Sequence, residues 1–82
     1  MQILIIEDER VLRDSISEYF KTNGYICTTV GTLKKGLEKS SNYIYDCVLI
    51  DMGLPDGSGM DIISSFKRNN PNTGIIIISA KN

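Results

Sequence analysis

The 82-residue sequence predicts an α/β fold built on a parallel sheet. Three observations carry that reading. Four short runs rich in Ile, Leu and Val recur along the chain, with amphipathic stretches between them. Two of the runs are apolar at nearly every position, the pattern of strands covered on both faces. The first run, Ile3-Leu4-Ile5-Ile6, ends abruptly on Glu7-Asp8, and the third, Cys47-Val48-Leu49-Ile50, ends on Asp51. Strands alternating with helices through short connections imply right-handed crossovers and parallel pairing.

Each element has its own signal. Met1 to Ile6 is apolar apart from Gln2 and reads as the first strand. Glu9 to Thr22 reads as a helix, with Leu12, Ile16, Tyr19 and Phe20 on one stripe and Arg10, Arg13, Asp14, Ser17, Glu18 and Lys21 facing water. A helix cap is the bland alternative to a site role for Asp8, and Asn23-Gly24 stops the helix, with Gly24 suited to a left-handed position. Tyr25 to Val30 is a β-branched and aromatic strand. Thr32 can cap a second helix running to about Ser40, a weak one with Leu33 and Leu37 as its only i, i+4 anchor and Gly36 inside it. Asp46 to Asp51 is the third strand. Ser58 or Gly59 starts a third helix through about Asn69, with Met60, Ile63 and Phe66 inward, and Asn70-Pro71-Asn72 ends it. Gly74 to Ser79 is the fourth strand, apolar on both faces.

Composition narrows the function classes. Hydrophobic residues make up 41% and charged residues 23%, with nine basic and ten acidic side chains and a net charge of −1. No basic excess points to direct contact with nucleic acid or to a membrane surface. The longest apolar run, Ile75 to Ile78, is far too short to span a bilayer, and no cationic stretch leads into an apolar one at the N-terminus. A cytoplasmic location is expected. A chain of this size buries roughly 60% of its unfolded surface, so its stability margin is thin. Cys27 and Cys47 lie in strand-like runs and are expected to be small core residues rather than a disulfide. With no histidine and no paired-cysteine motif, a zinc site has no ligand set.

The chemistry rests on the acids. In an open parallel sheet, ligands sit beyond the carboxyl ends of the strands, near the point where strand order switches. If the first and third strands are neighbours, Glu7, Asp8 and Asp51 converge there. Carboxylates that close repel one another unless a cation neutralises them. Oxygen ligands without His or Cys favour Mg²⁺, and a carboxylate beside Mg²⁺ can attack a phosphoryl donor.

Three stretches carry a resemblance to a known family: Ile3-Leu4-Ile5-Ile6-Glu7-Asp8-Glu9, Asp46 to Gly59 with its Asp51-Met52-Gly53-Leu54-Pro55 core, and Ile75-Ile76-Ile77-Ile78-Ser79-Ala80. In order and spacing they resemble the receiver domain of bacterial two-component response regulators. The resemblance implies a flavodoxin-like, doubly wound parallel sheet. Here it would be incomplete, with four strands in the order 2-1-3-4 and three helices. It implies that Asp51 is the phosphoacceptor, that Glu7 and Asp8 bind Mg²⁺ together with Asp51, and that the backbone carbonyl of Gly53 completes the metal site. Ser79 matches the hydroxyl that senses the phosphoryl group. Pro55 and Gly59 match the turn into the third helix, and Lys81 a position that tunes phosphoryl-transfer rates. The implied partner is a sensor histidine kinase, and the implied role is signalling rather than enzymatic.

Receivers continue through another helix, a fifth strand carrying a lysine and an aromatic switch residue, and a final helix. Residues 1–82 therefore correspond to the N-terminal two-thirds of a receiver. The expectation is a chain that binds Mg²⁺ but accepts phosphate poorly. It is also expected to self-associate, as a homodimer through its exposed fourth strand or by exchange of elements. Two other functions compete with the phosphoacceptor reading. One is a non-phosphorylated interaction or dimerisation module, which would normally lack one of the acids. The other is a Mg²⁺-dependent phosphohydrolase, which would need Asp-x-Asp where this chain has Asp51-Met52-Gly53.

Overall fold

The computed structural model describes residues 1–78. Its elements are β1 (Gln2–Ile6), α1 (Arg10–Thr22), β2 (Ile26–Val30), α2 (Leu33–Asn42), β3 (Cys47–Asp51), α3 (Gly59–Asn69) and β4 (Gly74–Ile78). The strands form one parallel sheet in the order β2-β1-β3-β4. Both the alternation and the strand order match expectation.

Side chains alternate across the sheet and so build two cores. Leu4, Ile6, Val48 and Ile50 point to one face, where they meet Leu33 of α2 and Ile62, Ile63 and Phe66 of α3. Ile3, Ile5 and Leu49 point to the other, where Ile16 and Phe20 of α1 cover them. Residues 3–6 of β1 are at most 2% exposed, which explains their unbroken apolar run. Asp46 sets the register of β1 against β3. Its N–H donates to the Gln2 carbonyl at 2.8 Å and its Oδ2 accepts the Gln2 N–H at 2.7 Å. With that end pinned, Ile6 lies opposite Ile50, and the next residues on each strand are Glu7 and Asp51.

Several side chains depart from the sequence expectation. Glu9, not Asp8, caps α1, its carboxylate accepting the Leu12 N–H at 3.2 Å. Tyr19 is exposed and lies edge-on to Phe20, while Ser17 is buried. The small serine allows α1 to approach β2, where the Cys27 thiol donates to the Ser17 carbonyl at 3.9 Å. In α3, Ile62 is buried and Met60 is exposed, because the stripe facing the sheet runs through Ile62 and Phe66 at i, i+4. Helix α2 extends to Asn42, and its inward face is Leu33 and Gly36 rather than Leu33 and Leu37. A Cβ on Gly36 would lie 2.5 Å from Ile6 Cδ1 and 3.2 Å from Ile62 Cδ1. The glycine is what lets α2 sit close against β1. Cys27 and Cys47 are free thiols and half-buried rather than fully enclosed. β4 is not covered on both faces, with Ile76 50% and Ile77 53% exposed. Among the described residues β4 has one strand neighbour, β3, and no helix is long and apolar enough to cross a membrane.

Candidate functional site

The order β2-β1-β3-β4 places its switch point between β1 and β3, the two central strands. Chain direction brings both C-terminal tips to the same edge. β1 delivers Glu7 and Asp8, and β3 delivers Asp51. One carboxylate oxygen from each lies within 4.8 Å of the others. The convergence inferred from the sequence is therefore present.

The acids differ in environment. Glu7 is 2% exposed and Asp51 is 8% exposed, whereas Asp8 is open to solvent. Backbone bonds hold Glu7 at the end of the ladder. Its N–H donates to the Val30 carbonyl at 3.1 Å, and its carbonyl accepts from Arg13 Nη1 at 3.1 Å. Glu7 Oε2 accepts the Glu9 N–H at 3.0 Å. Among the described residues, Glu7 Oε1 is buried with no hydrogen-bond partner. Burial pushes the Glu7 carboxyl above its ordinary value, opposed by the Glu9 N–H, and the Asp51 charge adds to the upward push. An orphaned, desolvated carboxylate oxygen facing two further acids is an electrostatic deficit that a hard divalent cation would relieve. The donor set fits such an ion.

Asp51 is fixed from its own loop, with Oδ1 accepting the Gly53 N–H at 3.0 Å. The Met52 N–H donates to the Ile78 carbonyl at 3.3 Å, so β4 runs alongside the site. Gly53 itself is exposed. Ser79 and Lys81 lie outside the described residues.

Two residues around this site escaped the sequence reading. Arg13 was expected in water, but it is half-buried and reaches across the end of β1 to the Glu7 carbonyl. Asp56 gives both carboxylate oxygens to α2. Oδ1 accepts from Leu33 N–H at 2.8 Å and Oδ2 from Lys34 N–H at 3.0 Å. Asp in a Pro-Asp-Gly turn is an ordinary turn signal, and nothing local reveals a partner more than twenty residues away.

Comparison with known proteins bears on this geometry. The family model for the response regulator receiver domain matches residues 3–82. The chain is 31% identical over 81 residues to the transcriptional regulatory protein PmrA of Pectobacterium parmentieri, an alignment covering 99% of this chain and 36% of PmrA. It is 33% identical over 79 residues to the cell cycle transcriptional regulator CtrA of Caulobacter vibrioides, covering 96% of this chain and 34% of CtrA. The chain thus spans little more than a third of the length of these curated relatives. Among solved structures, it matches the response regulator TrrA of Thermotoga maritima in complex with Mg²⁺-BeF with a TM-score of 0.92. Identity there is 26%, over 99% of this chain and 70% of that one. TrrA in complex with the histidine kinase ThkA matches with a TM-score of 0.89, again at 26% identity and with 99% and 70% coverage.

Proposed function

Since the chain belongs to the response regulator receiver domain family, we propose that it is a phosphoacceptor module in which Asp51 takes a phosphoryl group from a sensor histidine kinase. The observation that carries this reading is the convergence of Glu7, Asp8 and Asp51 within 4.8 Å at the switch point of the sheet. Glu7, Asp8, Asp51 and the backbone carbonyl of Gly53 are assigned to a Mg²⁺ ion. When bound, Mg²⁺ would neutralise charge on the carboxylates and on the transferring phosphoryl oxygens. The protein's own groups do the rest. The Gly53 N–H holds Asp51 Oδ1 and leaves the second oxygen to attack phosphorus. In transfer from phosphohistidine the new O–P bond forms as the P–N bond breaks, and the bonding pair returns to the imidazole nitrogen. Ser79, which follows the β4 residue Ile78 paired with Asp51, is assigned the phosphoryl-sensing hydroxyl. The half-exposed Ile76 and Ile77 on β4 support a further partner, a second copy of this chain.

Beryllofluoride with Mg²⁺ tests the site, read by NMR of the backbone amides. Shifts concentrated at Asp51, Gly53 and Ser79, lost in Asp51→Asn, are expected. No Mg²⁺-dependent shift at those positions would rule the reading out.

A further inference from the structure

We propose that Asp56 is a positioning residue that clamps the β3–α3 loop onto the first turn of α2 and thereby holds Gly53 and Asp51 in place. This deepens the phosphoacceptor reading and rests on it.

The loop from Met52 to Ser58 carries Gly53, whose N–H orients the Asp51 carboxylate. Beyond Leu54 the loop is exposed from Pro55 to Ser58. Three features fasten it to α2. Asp56 accepts two N–H bonds from the helix, at Leu33 and Lys34. Gly57, at φ +148°, lies so close to α2 that an added Cβ would be 2.9 Å from Leu33 Cδ1. Leu54 is buried in the same core cluster as Leu33. The Gly57 N–H closes back on the Leu54 carbonyl at 3.5 Å, making the segment a tight turn between those contacts.

The bonding is complete at the helix end. Leu33 and Lys34 N–H go to Asp56, Lys35 N–H goes to the Thr32 hydroxyl at 3.2 Å, and Gly36 N–H begins the helical ladder at the Thr32 carbonyl. The free donors of a helix N-terminus favour a negative charge. The two backbone bonds accordingly hold the Asp56 carboxyl below its ordinary value. Thr32 caps the same turn but is the residue preceding the helix, and its hydroxyl accepts from Lys35 N–H within α2 itself. The two caps therefore share one local task and differ in one remote one.

That difference supplies the test. Asp56→Ala and Thr32→Ala both remove an acceptor from α2, but only the first releases the loop. Hydrogen exchange of the Gly53 N–H in the metal-free 82-residue chain reads loop order directly. Asp56→Ala is expected to accelerate it about fivefold, and Thr32→Ala to leave it unchanged. In a Mg²⁺ titration, Asp56→Ala should weaken binding by about tenfold, Thr32→Ala should leave it as in the parent chain, and Asp56→Asn, which keeps one acceptor oxygen, should recover part of the loss. Asp56→Asn also serves if the alanine variant does not fold. A parent chain that binds no Mg²⁺ would defeat the phosphoacceptor reading, and the exchange comparison would still decide the clamp. Equal effects of Asp56→Ala and Thr32→Ala on Gly53 exchange, or none from either, would overturn it.

Discussion

Replacing Glu7 with Gln isolates what burial does to the acidic trio. Among the described residues Glu7 Oε1 has no hydrogen-bond partner, and Asp51 and Asp8 stand beside it. The folded state raises the Glu7 carboxyl above its ordinary value of 4.5, so it holds a proton more tightly than the unfolded chain does. The stability tied to that preference is fully present below pH 4.5 and is lost as pH rises through the elevated folded value. Glu7→Gln keeps an oxygen for the Glu9 N–H and removes the charge. It is expected to stabilise the metal-free chain near neutral pH by about 1 kcal/mol and to flatten the decline in stability with rising pH. It should also abolish stabilisation by Mg²⁺. Thermal unfolding across pH, with chelator and with Mg²⁺, checks all three. An unchanged pH slope in the variant would show that Glu7 is not the strained member.

On the scale of elements, the tight spot is α2 against β1. Gly36→Ala would add helix propensity worth about 1 kcal/mol, yet its Cβ would press on Ile6 Cδ1 and Ile62 Cδ1. Overpacking of this kind costs roughly 1–3 kcal/mol. The variant is expected to be less stable by urea unfolding, and a gain in stability would mean that α2 shifts outward freely. Gly36 also shows what the sequence conceals. As a letter in a helix it reads as weakness; only the neighbouring strand reveals it as fit. The strands were legible because β1 and β3 are buried on both faces and end on charge, a contrast visible in any window. The acids were legible for the same reason, since parallel strands send their tips to one edge. Tyr19 and Met60 face water while Ser17 and the unassigned Ile62 face the core, because the side of each helix that meets the sheet is rotated from the stripe that the apolar residues alone suggest. Asp56 and Arg13 were missed because each acts on a segment that folding brings to it.

For the molecule as a whole, the described residues leave one side of β4 exposed. Ile76 and Ile77 project to opposite faces and each is about half exposed, beside backbone groups with no strand partner among the described residues. Such an edge is a template for another chain. Sedimentation of the 82-residue chain is expected to show concentration-dependent association that Ile77→Lys reduces; a monomer at high concentration in the parent chain would exclude it. The division of the acidic trio between β1 and β3 has a kinetic consequence. These strands are joined through the whole of α1, β2 and α2, so their pairing is a late, non-local closure. A cation that needs both tips finds no site on a partly folded chain. Its binding energy then accrues after the folding barrier, and Mg²⁺ should slow unfolding while leaving the refolding rate unchanged. Stopped-flow traces with and without the ion would show one limb moving and the other still. The ion would act as a latch on a finished sheet rather than as a nucleus for making it.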